Sequence, residues 1–116
     1  MNKRQLGTDY ENKACEYLKN KGYKILEKNF RTYNGEIDIV AKDGDYIVFV
    51  EVKYRQRNSF GYSAEAVNAH KQQVIYKVAR GYICKYYKHK EPPCRFDVIA
   101  FDNNEITHII NAFGGL

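Results

Sequence analysis

The sequence predicts an α/β domain built on a mixed β-sheet. Three observations carry the prediction. Ile47-Val48-Phe49-Val50 is a continuous apolar run, as in a central strand buried on both faces. A long stretch of helical periodicity follows it, and strand-like segments lie on both sides of that stretch. An antiparallel meander feeding a helical crossover gives the order αβββαββ, in two or three layers.

Residues 8–20 carry the first helical pattern, with Ala14, Cys15 and Leu18 on one face. Thr8 or Asp9 is placed to cap its start, and Gly22 ends it. Strand-like segments follow at about 23–31, 35–42 and 45–53, the last two joined by the hairpin turn Asp43-Gly44. A long helix fits roughly 64–88, striped by Val67, Val74, Ile75, Val78, Ala79, Tyr82 and Ile83. Pro92-Pro93 reads as a turn rather than a boundary. Two further strands, near 95–101 and 105–111, flank the turn Asp102-Asn103-Asn104.

With 116 residues the chain fits one domain, its core spanning about 7–113. Apolar residues at 44% and aromatics at 15% supply one packed core and exclude wholesale disorder. No stretch approaches the roughly 20 apolar residues that span a bilayer, and Met1-Asn2-Lys3-Arg4-Gln5 does not resemble a signal peptide. No membrane association is expected. Cys15, Cys84 and Cys94 form no CxxC pair and have no zinc-like spacing with His70, His89 or His108. They read as reduced thiols, which places the chain in the cytoplasm.

The net charge of +5 is unevenly distributed. Residues 53–90 hold nine basic residues and one acid, Glu65, for +8, which leaves −3 elsewhere. Six of the eleven tyrosines lie in that segment, among them Tyr54, Tyr76, Tyr82 and Tyr86. Basic groups neutralise phosphates, and interleaved aromatic faces stack on unpaired bases. The same segment also suits a solvated basic face that keeps the protein soluble.

Several charges stand where the pattern asks for apolar residues. Glu11 shares the inward face of Ala14, Cys15 and Leu18. Asp38 lies between Ile37 and Ile39, and Glu51 and Lys53 alternate with Val50 and Val52 on one strand face. Lys71 falls on the long helix's apolar stripe. Buried charges need partners, a metal or solvent access. Metal-assisted phosphodiester hydrolysis uses such a set: two carboxylates hold Mg²⁺, and a nearby lysine positions water or neutralises developing charge. The plainer alternative is a salt bridge between Glu51 and Lys53 at a strand end. Glu36 either begins its strand or supports the ligands from behind. Asp97, within Arg95-Phe96-Asp97-Val98-Ile99, suits either reading and stays outside the candidate site.

Asp38 followed by Glu51-Val52-Lys53 resembles the PD-(D/E)xK nuclease superfamily, with Ile37 where the name motif has Pro. The chain is also similar to the YraN family of bacterial proteins, distant relatives of Holliday-junction resolvases. The matching stretches are Gly7-Thr8-Asp9-Tyr10-Glu11, Asn29-Phe30-Arg31, Gly35-Glu36-Ile37-Asp38-Ile39-Val40, Val48-Phe49-Val50-Glu51-Val52-Lys53-Tyr54-Arg55, Arg95-Phe96-Asp97-Val98-Ile99 and His108-Ile109-Ile110-Asn111-Ala112-Phe113. The resemblance implies a restriction-endonuclease-like fold, an αβββαβ core plus a C-terminal strand, with the site where the second and third strands diverge. By that likeness Asp38 and Glu51 are metal ligands, Lys53 is the catalytic lysine, Glu11 completes the metal site, and Arg31 contacts phosphate.

The combined expectation is a Mg²⁺- or Mn²⁺-dependent endonuclease acting on DNA, with branched or single-stranded DNA as substrate. RNA stays open as a ligand. Arg55 and Arg57 follow the catalytic strand and are expected to flank the scissile phosphate, with Lys71 approaching from the long helix. Two alternatives remain: a nucleic-acid-binding module that keeps the fold without hydrolysis, and a partner protein whose inward charges form an ion-pair network. A twofold homodimer would suit a four-way junction, although no residue pattern marks its interface.

Overall fold

The computed structural model describes residues 3–55, 67–103 and 105–114. Its elements are α1 (Lys3–Asn20), β1 (Lys24–Thr32), β2 (Gly35–Asp43), β3 (Tyr46–Arg55), α2 (Ala69–Tyr86), β4 (Cys94–Asp102) and β5 (Glu105–Phe113). The strands form one sheet in the order β1-β2-β3-β4-β5. Among the described strands only β3 and β4 pair in parallel, with α2 between them in the chain, so the sheet is mixed as expected.

Helix α1 starts earlier than its apolar pattern indicates. Thr8, expected as a cap, instead turns its hydroxyl back to the Arg4 carbonyl at 3.1 Å inside the helix. The C-terminus closes as a Schellman motif: Tyr23 N–H reaches the Leu18 carbonyl and Gly22 N–H the Lys19 carbonyl, both at 3.0 Å. That geometry requires a left-handed residue, and Gly22 supplies it with φ of +94°.

Helix α2 starts at Ala69 rather than near 64; Asn68 is extended, Val67 is not helical, and 56–66 lie outside the described residues. Asn68 caps it, its side chain accepting from Lys71 N–H at 2.8 Å. No helix among the described residues is long and apolar enough to cross a membrane.

Each helix buries its stripe against a different sheet face, so the domain has three layers. Ala14, Cys15 and Leu18 of α1 pack with Ile39, Ala41, Val48, Val50, Ile99 and Phe101. On the other face Ile75, Val78, Ala79 and Tyr82 of α2 pack with Ile37, Val40, Ile47, Phe49 and Phe96. Strand β3 is therefore buried on both sides, Val48 and Val50 towards α1 and Ile47 and Phe49 towards α2. Full burial of such a side chain contributes roughly 1.5–3 kcal/mol. The sheet centre is thus a firm base for the charged residues that follow on β3.

Candidate metal and nucleic-acid site

The β2–β3 hairpin is zipped from its turn at Asp43↔Tyr46 as far as Ile39↔Val50, and there its ladder stops. The next residues along, Asp38 and Glu51, would have faced each other in continued register. Instead the Asp38 carboxylate takes over part of the ladder, Oδ2 accepting the Val52 N–H at 2.8 Å. This bond satisfies a backbone donor and fixes the carboxylate in the gap. The divergence of the second and third strands that the resemblance implies is present, with Asp38 and Glu51 at its mouth.

Glu51 lies two residues beyond Phe49, so pleat alternation sets it on the α2 face. Its side chain is only 10% exposed and has two partners. One is the Asp38 carboxyl, to which it is hydrogen-bonded. The other is Lys71 of α2, with Nζ to Oε2 at 3.5 Å. Lys53 follows on the same face by alternation and is half-buried, aligned with Ala100 of β4.

The electrostatics follow from two acids in one partly dry gap. Burial first, then the hydrogen bond and charge of Glu51, push Asp38 up from its ordinary value of 3.8 to about 9; the Val52 N–H opposes the shift. Near neutral pH the Asp38 carboxyl is therefore held in its protonated form beside Glu51. Glu11 of α1 is also raised, by burial and by the charges of Glu36 and Glu51, against a lowering hydrogen bond with Asn29. Asn29 adopts φ of +54° in β1, a left-handed conformation that Asn tolerates.

Glu36 is tied to Arg31 across the β1–β2 ladder, at 2.6 Å from Nη2 and 3.1 Å from Nε to the same Oε2. Arg31 is otherwise exposed on the sheet's outer strand. A cleft of about 450 Å³ joins Glu11, Asn29, Arg31 and Glu36 to Arg4, Gly7 and Thr8 of α1.

Asp38, Glu51 and Lys71 thus meet directly, and Glu11 and Glu36 lie within electrostatic reach of one another. Arg55 ends β3, but its side chain lies outside the described residues, as does all of Arg57. The aromatic part of the expected basic face is different from what the sequence suggests. Tyr76 and Tyr82 are 7% and 5% exposed, in ring contact with Phe96 and Phe49 respectively, so they serve the core. Their spacing matches the apolar stripe of α2.

Among the described residues no three His, Cys, Asp or Glu side chains converge closely enough to form a metal cage. Mg²⁺ ordinarily binds through one or two carboxylates, its remaining positions filled by water and phosphate. Asp38 and Glu51 are two such carboxylates, side by side at the strand split.

Asp97 belongs to a separate network. It is wholly buried on β4, where it accepts from Arg95 Nε and Nη2 at 2.9 and 3.0 Å and from Asn111 N–H at 3.0 Å. His108 Nε2 lies 2.8 Å from it, and His108 Nδ1 is 3.3 Å from the Tyr17 hydroxyl. Arg95 also donates to Asp43 and to the Tyr23 hydroxyl, at 3.1 and 2.6 Å. Burial alone would raise Asp97, but the bonds from His108, Arg95 and Asn111 outweigh it and hold the carboxyl below its ordinary value. This network links β4 and β5 to α1 and to the β2–β3 turn.

Residues 10–101 match the profile of the uncharacterised protein family UPF0102. A UPF0102 protein of Thermodesulfovibrio yellowstonii is 54% identical over 109 residues, covering 94% of this chain and 96% of the relative. A UPF0102 protein of Caldicellulosiruptor saccharolyticus is 47% identical over 119 residues, covering 97% and 100%. One of Fusobacterium nucleatum is 43% identical over 115 residues, covering 99% and 96%. Identity at this level over nearly the whole length agrees with the YraN-family motifs: the chain belongs to the UPF0102 family.

Proposed function

We propose that this chain is a divalent-metal-dependent endonuclease acting on DNA, with branched or single-stranded DNA as its substrate. The observation that carries the reading is the opened hairpin: two carboxylates from diverging strands lie in hydrogen-bond contact, with Lys53 next along the same face as Glu51.

Asp38 and Glu51 would hold Mg²⁺ or Mn²⁺, which supplies charge neutralisation at the phosphate and lowers the pKa of a bound water. Hydrolysis adds the oxygen of water to phosphorus and breaks one P–O ester bond; the leaving oxygen takes up a proton. The chain's own residues prepare this step. The Val52 N–H orients Asp38, and Lys71 offsets the charge of Glu51. Lys53 supplies an ammonium donor to the water or phosphate. Arg31 sits on the outer strand, where it can meet a neighbouring phosphate once it loosens from Glu36. In sequence, Arg55 at the end of β3 and Arg57 two residues on add two further cations for the phosphate backbone.

A second reading has its own observation. Lys71 and the Asp38 proton already satisfy Glu51 and Asp38 without any metal, as a nucleic-acid-binding module that lacks hydrolysis would require. Calorimetric titration with Mn²⁺ separates the two. The nuclease reading expects one binding event that releases protons and disappears in Asp38→Asn. Equal binding by that variant, or none by the wild type, contradicts it.

A further inference from the structure

We infer that Tyr33 is a stacking platform for an unpaired base, so that the site selects nucleic acid with single-stranded character a few nucleotides from the scissile phosphate. The inference rests on the nucleic-acid reading above and adds the feature that discriminates among substrates.

Tyr33 stands at the tip of the β1–β2 hairpin and is 100% exposed. Other tyrosines have occupations. Tyr10 and Tyr54 stack on each other at 4.7 Å. Tyr86, though 48% exposed, lies 4.7 Å from the Tyr82 ring, and Tyr46 lies beneath the Arg95 guanidinium. Among the described residues Tyr33 makes no hydrogen bond or ring contact. An unpartnered aromatic ring in water gives the fold nothing, whereas both of its faces are open to a base.

The turn that carries Tyr33 is held firmly. Asn34 N–H bonds the Thr32 hydroxyl at 3.1 Å, a local turn closure. Thr32 Cγ2 lies against α2, 3.5 Å from where a side chain on Gly81 would begin. Gly35, with φ of +148°, sits so close to α2 that a Cβ there would come within 2.7 Å of Val74 Cγ1. The tip is thus clamped on both sides of Tyr33 while its ring remains in solvent. The held turn fixes where the ring starts from the backbone, so binding has only the side-chain rotamer left to order.

Its location suits the site. Tyr33 stands five positions before Asp38 in the chain, a span of at most about 18 Å. That corresponds to roughly five base steps at 3.4 Å per step. Arg31, two residues before Tyr33, is 73% exposed at its side chain, and with Arg4 it lines the cleft that leads to Glu11. Glu36 and Arg31 of this cleft stand two residues from Asp38 and from Tyr33 respectively, so a strand that follows it passes near both. Paired bases inside a duplex present no free face to a tyrosine, so the contact is confined to unpaired nucleotides.

The test is fluorescence anisotropy with a labelled oligo-dT strand and a labelled duplex of equal length, in Ca²⁺ to suppress turnover. Wild type, Tyr33→Ala and Tyr33→Phe are compared. The loss of one base–aromatic stack predicts roughly 5- to 150-fold weaker single-strand binding by Tyr33→Ala. Duplex affinity should be unchanged, and Tyr33→Phe should stay within about twofold of wild type because the ring remains. A 2-aminopurine in the strand should be quenched by wild type and by Tyr33→Phe but not by Tyr33→Ala. Unchanged single-strand affinity in Tyr33→Ala, or equal loss on duplex, overturns the stacking role while leaving the nuclease reading intact. Failure of the wild type to bind either probe overturns both.

Discussion

Asp38→Asn should stabilise the fold at neutral pH while destroying the metal site. In the native state Asp38 is raised from 3.8 to about 9, so between those values the folded chain carries a proton that the unfolded chain has lost. Stability therefore falls as pH rises through that window, by up to roughly 1.4 kcal/mol per pH unit. At pH 7 the penalty reaches at most about 4 kcal/mol, and relaxation around the carboxyl reduces it. Asparagine reproduces the neutral acid at every pH: its oxygen can accept the Val52 N–H, and its amide can donate to Glu51. An increase of about 1–4 kcal/mol corresponds to a Tm higher by roughly 4–16 °C in a domain of this size. The assay is thermal unfolding of both proteins from pH 4 to 8 in EDTA. The variant's advantage should be largest at pH 8 and shrink steadily towards pH 4, close to the unfolded value of 3.8 below which both states of the wild type hold the proton. A Tm equal to or below wild type at pH 8, or an advantage independent of pH, refutes the protonated Asp38 carboxyl.

Other outcomes follow from the same structure. Asp97→Ala removes the main partner of Arg95, whose side chain is 13% exposed, and leaves it with Asp43 alone among acids; the expected loss is about 3–5 kcal/mol, read as a lower urea midpoint. Because Asp97 titrates below its ordinary 3.8, its contribution should persist down to that value and disappear as more acid protonates it. Gly35→Ala meets both a φ of +148° and a 2.7 Å approach to Val74 Cγ1, so it should cost about 1–3 kcal/mol by the same measurement.

The αβββαββ order and the double burial of β3 were legible because Ile47-Val48-Phe49-Val50 and the stripe of α2 are local patterns. Asp38, Glu51 and Lys71 stood out for the related reason that each interrupts such a pattern; their meeting at the strand split follows from pleat alternation and helix phase. The start of α1 was not legible, because Thr8 after Gly7 reads locally as a cap, whereas its hydroxyl bonds backwards within the helix. Asp97 could not be assigned from β4 alone. Its partners come from β4 and β5, and that network extends to Tyr17, Tyr23 and Asp43, distant residues gathered only by folding. The link from Glu11 to Asn29 depends on the left-handed backbone of Asn29, which no spacing reveals. The tyrosines of α2 misled for a physical reason: an aromatic ring at a helical core position and one on a binding face have the same periodicity.

Single-turnover cleavage of end-labelled four-way, flap and single-stranded DNA tests the central claim most directly. With Mg²⁺ or Mn²⁺ the wild type should cleave at least one of these, and EDTA should abolish the reaction. Asp38→Asn should have no activity, since neutralisation at the phosphate and activation of water both depend on the ion. Lys53→Ala should bind DNA normally and cleave roughly 10²–10³-fold more slowly, the effect of removing one preorganised donor. Absence of metal-dependent cleavage of all three substrates by the wild type, or cleavage that persists in Asp38→Asn, would contradict the assignment.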